Sequence, residues 1–390
     1  MGESGVTGKL SPLVLDVISR ADLDRATLPE EQAWTLPPAA YVSKDVYEAE
    51  AQEIFLKNWL PVGRVEQVAA PGDYFTFELL GRPLVMVRGR DGQIRCFSRV
   101  CLHRGAEVAE GSGSTRLFLC PYHHWSYDLE GRLVAAPLTE ELTDLKGEDC
   151  RLPALRVELW NGFIFVNFDA DAAGLSEAIT GLSEFMAPYG LEDMRLAPEG
   201  LTFDSPYNWK ILVENFMEAY HHIGPHAATL RDPYPVEQSY VPDNEGGAWS
   251  VLAMPGATES HGAFPPIATL TDWRRHGLVA VTAFPTMLLA ASGDGALWYQ
   301  ITPIAWDRFT LDIRFLLPKD SFAEPEFEAR FAGWQGVVDL VHREDHAINL
   351  NVWRGLQSKM AKAGRLTRFE RAIWQMNAWW CAQMRPVASS

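Results

Sequence analysis

Three hundred and ninety residues exceed what a single hydrophobic core usually serves, so two domains are the starting expectation. Hydrophobic residues at 47% and charged residues at 22% are the proportions of a globular chain, which excludes a disordered one. Fifty-one acidic against thirty-four basic residues leave a formal charge of −17, a field that repels phosphate and argues against nucleic-acid and anionic-membrane partners. No apolar run approaches the roughly 18–20 residues of a membrane span. Met1-Gly2-Glu3-Ser4 opens no basic region followed by an apolar stretch, so no signal peptide is expected and a cytoplasmic location is.

In chain order, residues 1–55 read as an N-terminal arm and helix. Pro12, Pro29, Pro37 and Pro38 interrupt short amphipathic stretches, which suits a segment packed on the surface or against a neighbouring subunit. Residues 56–168 change to short runs rich in Val, Ile and Phe between turn residues. Examples are residues 74–80, 84–88 and 163–167, with Gly89 and Asp91-Gly92 forming a hairpin. This is the pattern of a small antiparallel β domain. Residues 137–152 read as a charged surface connection. Residues 169–390 mix helix and strand: helices over 172–186 and 209–222, strands over 277–283, 297–302 and 309–315. Helix then runs from Pro325 to Met384 with a break near Gly364 and Pro325 at the first helical position. Strands followed by a long terminal helix predict an α+β domain with a sheet wrapped around a helix.

Five cysteines in so long a chain do not make a disulfide framework. Cys96, Cys150 and Cys381 stand in no metal-binding pattern and read as inert thiols. Cys101-Leu102-His103 and Cys120-Pro121-Tyr122-His123 differ, because each loop offers one thiolate and one imidazole. Such an inventory suits a [2Fe–2S] cluster with two Cys on one iron and two His on the other. It also suits a structural zinc. Zinc fingers usually keep both cysteines in one knuckle, so the one-of-each arrangement favours the cluster.

A second constellation spans residues 208–226. Ile211, Leu212, Phe216 and Met217 form an apolar helix stripe, and Glu218 and His221 share a face at its end. Gly224-Pro225 then stops the helix and lets His226 fold back toward His221. Two histidines and one carboxylate on one face are the ligand set of non-haem Fe(II) oxygenases. The alternative is a buried helix with satisfied polar groups.

Cys101-Leu102-His103-Arg104 and the run from Cys120 to Tyr127 resemble the two cluster loops of Rieske non-haem iron oxygenases. Glu218-x-x-His221-x4-His226 independently resembles the mononuclear-iron segment of the same family. The resemblance implies that Cys101, His103, Cys120 and His123 hold the cluster and that His221 and His226 are iron ligands. Glu218 stands where the family has a carboxylate linking a cluster histidine, here His123, to an iron histidine, here His221, across a subunit boundary. The third ligand is implied at Asp345, in Arg343-Glu344-Asp345-His346 upstream of Gly355-Leu356-Gln357-Ser358, with Glu344 and Asp339 as alternatives. One departure is His124, where the family commonly has Gly; His123 keeps the ligand spacing. His222 reads as a neighbour of the pocket.

The fold so implied is a small antiparallel β Rieske domain plus a helix-grip catalytic domain. The function implied is the terminal oxygenase component of a Rieske system. It would use O2 and electrons from a separate NAD(P)H-dependent reductase or ferredoxin to hydroxylate or dealkylate a small organic substrate. No Gly-rich strand-to-helix fingerprint for NAD(P)H appears in the chain. A homotrimer is implied, with electrons passing from cluster to Fe(II) through His123, Glu218 and His221. Glu at 218 points to quaternary amines such as carnitine, whereas Ala219, where those relatives often have Cys, leaves an aromatic compound as an equal contender. Trp249, Trp298, Trp374 and Trp379 either line the cavity or pack the core. Two rivals remain: a Rieske electron-transfer protein without oxygen chemistry, and a helix-grip ligand-binding protein with structural zinc.

Overall fold

The computed structural model describes residues 15–142, 145, 150–256 and 262–389. Pro12 and most of the central part of the 137–152 connection therefore lie outside the described residues.

The first β unit is a seven-stranded antiparallel sheet. Its order is Leu60–Arg64, Phe163–Asn167, Ala154–Trp160, Ile94–Ser98, Arg82–Arg88, Asp73–Leu79 and Ser112–Ser114. The hairpin expected around Gly89 and Asp91-Gly92 joins the fifth and fourth of these strands, with Arg88 opposite Ile94 and Gly92 at φ +81°. A small three-stranded sheet, Phe118–Leu119, Ser126–Tyr127 and Leu133–Ala135, caps one end. Val85, Val87, Phe97, Phe118, Trp125 and Tyr127 are buried together, so the cap and the main sheet share one core.

The second unit is built on another seven-stranded antiparallel sheet. The path runs Met194–Leu196, Arg308–Pro318, Ala296–Ala305, Met287–Ala291, Leu278–Ala283, Trp249–Met254, with Leu201–Ser205 also pairing along Arg308–Pro318. The 30-residue helix Phe327–Leu356 lies across it. Phe315 of the sheet meets Phe331 at 5.2 Å and Trp334 at 4.9 Å, both edge-on, and Phe203 meets His342 at 4.3 Å. Such aromatic contacts add to area burial in fixing the crossing.

Several expected elements are shorter than the sequence pattern indicated. The helix expected over 172–186 is two short ones, Leu175–Ala178 and Leu182–Met186, because Gly181 takes φ +86° between them. The helix expected over 209–222 ends at Phe216, and Tyr220–Ile223 is a separate 3-10 turn. Pro325 is not the first helical residue; the long helix begins at Phe327 after Glu326 at φ +60°. The next α-helix, Arg371–Met384, follows only after residues 357–370, which hold Gly364 and the 3-10 turn Arg368–Glu370. Trp249–Met254 and Met287–Ala291 are strands that the sequence reading did not single out.

The arm packs on its own chain. Leu23 and Ala26 of the helix Arg20–Ala26 are fully buried, Leu28 O accepts from Trp374 Nε1 at 2.9 Å, and Glu30 pairs with Arg371 at 3.0 Å. Two buried cations, Lys210 and Arg64, join the parts. Lys210 Nζ donates to Glu50 Oε1 at 2.5 Å with both side chains fully buried, and Trp209 and Trp380 also donate to that carboxylate. Arg64 reaches from the first sheet to the carbonyls of Asn161, Leu191 and Met194. Gly162, at φ +81°, lies so close beneath this guanidinium that a Cβ would fall 2.6 Å from it.

Candidate functional site

The two cysteine-histidine loops close on themselves by backbone hydrogen bonds. Cys101 N donates to Ala106 O at 2.8 Å and Gly105 N to Cys101 O at 3.1 Å. Cys120 N donates to Trp125 O at 2.8 Å and His124 N to Cys120 O at 3.0 Å. His124 sits at φ +58°, a conformation in which glycine is at ease and other residues are strained. That explains why glycine suits this position in the family the sequence resembles; the His124 side chain itself is exposed.

Cys101 and Cys120 are buried, while His103 and His123 are exposed. The His103 ring stacks on Trp125 at 4.7 Å and meets His123 at 4.6 Å. Tyr127 Oη lies 3.2 Å from Cys101 Sγ and accepts from Leu102 N at 3.0 Å. Two thiols thus face inward and two imidazoles outward. A single tetrahedral ion would draw all four ligand atoms to within about 5 Å of one another. A buried thiol pair and an exposed imidazole pair, one of each from either loop, fit a two-iron cluster with two Cys on one iron and two His on the other.

The second site starts from the helix Trp209–Phe216, whose Asn208 cap accepts from Lys210 N at 3.1 Å. Met217 ends it. Glu218 then lies in the connecting turn rather than on the helix. One of its oxygens accepts from His221 N at 2.9 Å and the other lies 2.6 Å from His221 Nδ1. This local closure replaces the next helical turn. His226, fully buried, follows the Gly224-Pro225 bend. Its Nε2 is 2.8 Å from Asp345 Oδ1 and its Nδ1 is 2.7 Å from Glu344 Oε2. His221 Nε2 is 3.4 Å from the same Asp345 oxygen. One ligand atom from each of His221, His226 and Asp345 falls within 4.8 Å of the others.

The charges follow from that convergence. Burial alone would raise the Asp345 carboxyl, but hydrogen bonds from His221 and His226 hold it well below the usual carboxylate range. Burial would lower His221, yet Asp345 and Glu218 together lift it to about 10. His226 is raised in the same way, against burial, by Asp345 and Glu344. His222 has no such carboxylate: burial, and then the neighbouring His221, pull it down to about 4, and its Nδ1 lies 3.2 Å from Tyr234 O. A cation belongs where two imidazoles and a buried carboxylate meet, and two-histidine, one-carboxylate donors suit non-haem Fe(II).

Of the alternatives for the third ligand, Glu344 lies behind His226 and Asp339 pairs with Arg343 at 2.7 Å on the surface. The sequence reading missed Glu344 as a partner of His226. It also missed Thr229, whose hydroxyl donates to Glu344 at 2.7 Å. A cavity of about 220 Å³ adjoins the three ligand candidates, with Glu218 and His222 also in its wall. None of Trp249, Trp298, Trp374 and Trp379 lines it. Trp249 and Trp298 are core residues, and the Trp374 indole is tied to the arm.

Both parts of the chain match known families. Residues 58–146 match the Rieske [2Fe-2S] domain, and residues 194–386 match the ring hydroxylating alpha subunit (catalytic domain). The carnitine monooxygenase oxygenase subunit of Acinetobacter baumannii is 34% identical over 63% of this chain and 66% of that protein, just under two thirds of its length. The glycine betaine monooxygenase oxygenase subunit of Pseudomonas aeruginosa is 32% identical over 91% of this chain and 90% of that protein. A solved quaternary ammonium Rieske monooxygenase has the same fold, with a TM-score of 0.81, 24% identity, and coverage of 93% and 98% of the two chains. With both domains matched and a relative aligned along nearly its whole length, the chain belongs to the Rieske non-haem iron oxygenases, as an alpha subunit.

Proposed function

We propose that this chain is the terminal oxygenase component of a Rieske system, hydroxylating or dealkylating a small organic substrate with O2. The observation that carries the reading is the meeting of His221, His226 and Asp345 beside an apolar cavity, in a chain that also bears the two Cys-His loops. In this reading Cys101, His103, Cys120 and His123 hold the cluster, and His221, His226 and Asp345 hold the iron. The chain divides into an arm (1–55), a Rieske domain (56–168) and a catalytic domain (169–390). When bound, the cluster supplies a store of electrons at a potential above the roughly −400 mV of plant-type clusters, and the iron an open redox site for O2.

The protein's own residues supply orientation, proton placement and apolar walls. Glu218 accepts from Nδ1–H of His221 and Glu344 from Nδ1–H of His226, so that with a metal bound each Nε2 would be the nitrogen turned to the ion beside Asp345. Leu252, Leu297 and Val338 give the cavity beside that point apolar walls. Alpha subunits of this family receive electrons from a reductase, and a separate reductase or ferredoxin is the donor in this reading. Two exposed patches support a homotrimer joined head to tail. Tyr122 and Leu102 surround the cluster histidines, and Tyr220 and Ile223 flank His221. In that arrangement Glu218 faces His123 of a neighbouring copy.

The test is O2 uptake and product analysis with a surrogate reductase. The reading expects substrate-dependent O2 consumption that disappears in His221→Ala while the cluster is still reduced. Reduction of the cluster with no O2 consumption across a broad substrate panel would favour an electron carrier.

A further inference from the structure

The cavity beside the three ligand candidates is walled on one side by Leu252, Ala280 and Leu297 of the sheet and on the other by Trp334, Val338 and Val341 of the long helix. Among the described residues that line it there is no lysine and no arginine; its only carboxylates are Glu218 and Asp345. If a divalent ion is bound there, Asp345, Glu218 and Glu344 together carry three negative charges against its two positive ones, so the site has no net positive charge to offer an anion.

The polar groups of the wall are uncharged ones on Asn215, Tyr234, Tyr299 and Ser292 and the imidazoles, none of which supplies the fixed cation a carboxylate needs. Ser292, at the cavity's outer end, already donates to Asp294 Oδ1 at 2.8 Å and is within 3.2 Å of Gly295 O. An outer groove of about 940 Å³ shares Leu230, Tyr234, Ser292, Trp334 and Val337 with the cavity. Arg275 and Arg330 line only that groove. A carboxylate drawn into the inner cavity would lose its water and gain no cation. The rings are engaged with their neighbours: Phe216 packs on Tyr299 at 5.0 Å and Trp334 stands edge-on to Phe315 at 4.9 Å. An apolar cavity of about 150 Å³ accepts a benzene ring, so about 220 Å³ admits a larger ring compound.

Resting on the oxygenase reading of this site, we propose that the cavity takes an uncharged, apolar ring compound and rejects short carboxylated quaternary amines. The chain would then differ in substrate from the carnitine and glycine betaine monooxygenases that it resembles in sequence.

The test is anaerobic calorimetric titration of the iron-replete holoprotein with indole, glycine betaine and L-carnitine as probes. Val341→Phe and, separately, Ala280→Leu fill the cavity, and cluster absorbance with iron content reports whether each variant is intact. The expected result is saturable binding of indole that weakens at least tenfold in an intact filled variant, with no saturable binding of either amine. Saturable binding of glycine betaine or L-carnitine that a filled variant abolishes would overturn the proposal, as would absence of saturable indole binding. Iron or labile sulfide missing from the protein as purified and reconstituted would instead overturn the oxygenase reading, whichever probe binds.

Discussion

Glu344 Oε2 lies 2.7 Å from Nδ1 of His226, across the ring from Nε2, which lies 2.8 Å from Asp345 Oδ1. Adjacent residues of one helix therefore grip a single imidazole from both sides. The Glu344 carboxylate keeps the proton on Nδ1, so Nε2, now against Asp345, is the nitrogen that a metal would take. Glu344→Ala should weaken mononuclear iron binding by about 10–100-fold, as loss of a carboxylate behind a ligating histidine does. Iron retained during dialysis against a chelator measures this, with cluster absorbance as the internal control. Retention equal to wild type would reduce Glu344 to a surface charge.

Asp345→Ala should lose mononuclear iron and turnover yet keep the cluster, because the cluster loops belong to a separate core. Asp339→Ala is the control: that carboxylate pairs with the exposed Arg343 and should be dispensable. Full turnover by the Asp345 variant would move the third ligand elsewhere.

Glu218→Gln should keep both metal sites but slow product formation severely. Gln is nearly isosteric, so the turn it closes on His221 N should survive. It carries no charge and one end is a donor, so it cannot accept from two imidazole N–H groups. Rapid mixing of the reduced protein with O2 and substrate measures cluster reoxidation. A wild-type rate would make Glu218 merely a residue that closes the turn.

Lys210→Met should destabilise the fold by about 3–5 kcal/mol, because it leaves the Glu50 carboxylate buried without its cation. Trp209 and Trp380 would still donate to it, which favours the lower end of that range. The urea midpoint of the holoprotein, compared with wild type at fixed iron content, gives the difference. The double variant Glu50→Gln, Lys210→Met should recover part of the loss.

What the sequence revealed depended on how local each interaction is. The Cys101–His103 and Cys120–His123 loops close within a few residues, so their spacing carried the chemistry. Glu218, His221 and His226 are likewise near neighbours. Asp345 lies more than a hundred residues further on, and only a family resemblance pointed to it. Glu344 was weighed there as a rival ligand; its place behind His226 depends on how the long helix is rotated, which periodicity does not settle. The helix expected over 209–222 failed at Glu218 because a side chain took over the work of a backbone hydrogen bond. For the tryptophans abundance gave no direction, so cavity wall and core packing both stayed open, and tertiary packing placed the four that were weighed away from the cavity.

The most direct test of the central claim, that one chain carries both a Rieske cluster and a mononuclear iron, is metal and labile-sulfide analysis after anaerobic reconstitution with iron and sulfide. The account predicts three irons per chain, two in the cluster and one at His221, His226 and Asp345, with two labile sulfides. Two irons and two sulfides would leave only an electron carrier, and zinc without sulfide would contradict both sites.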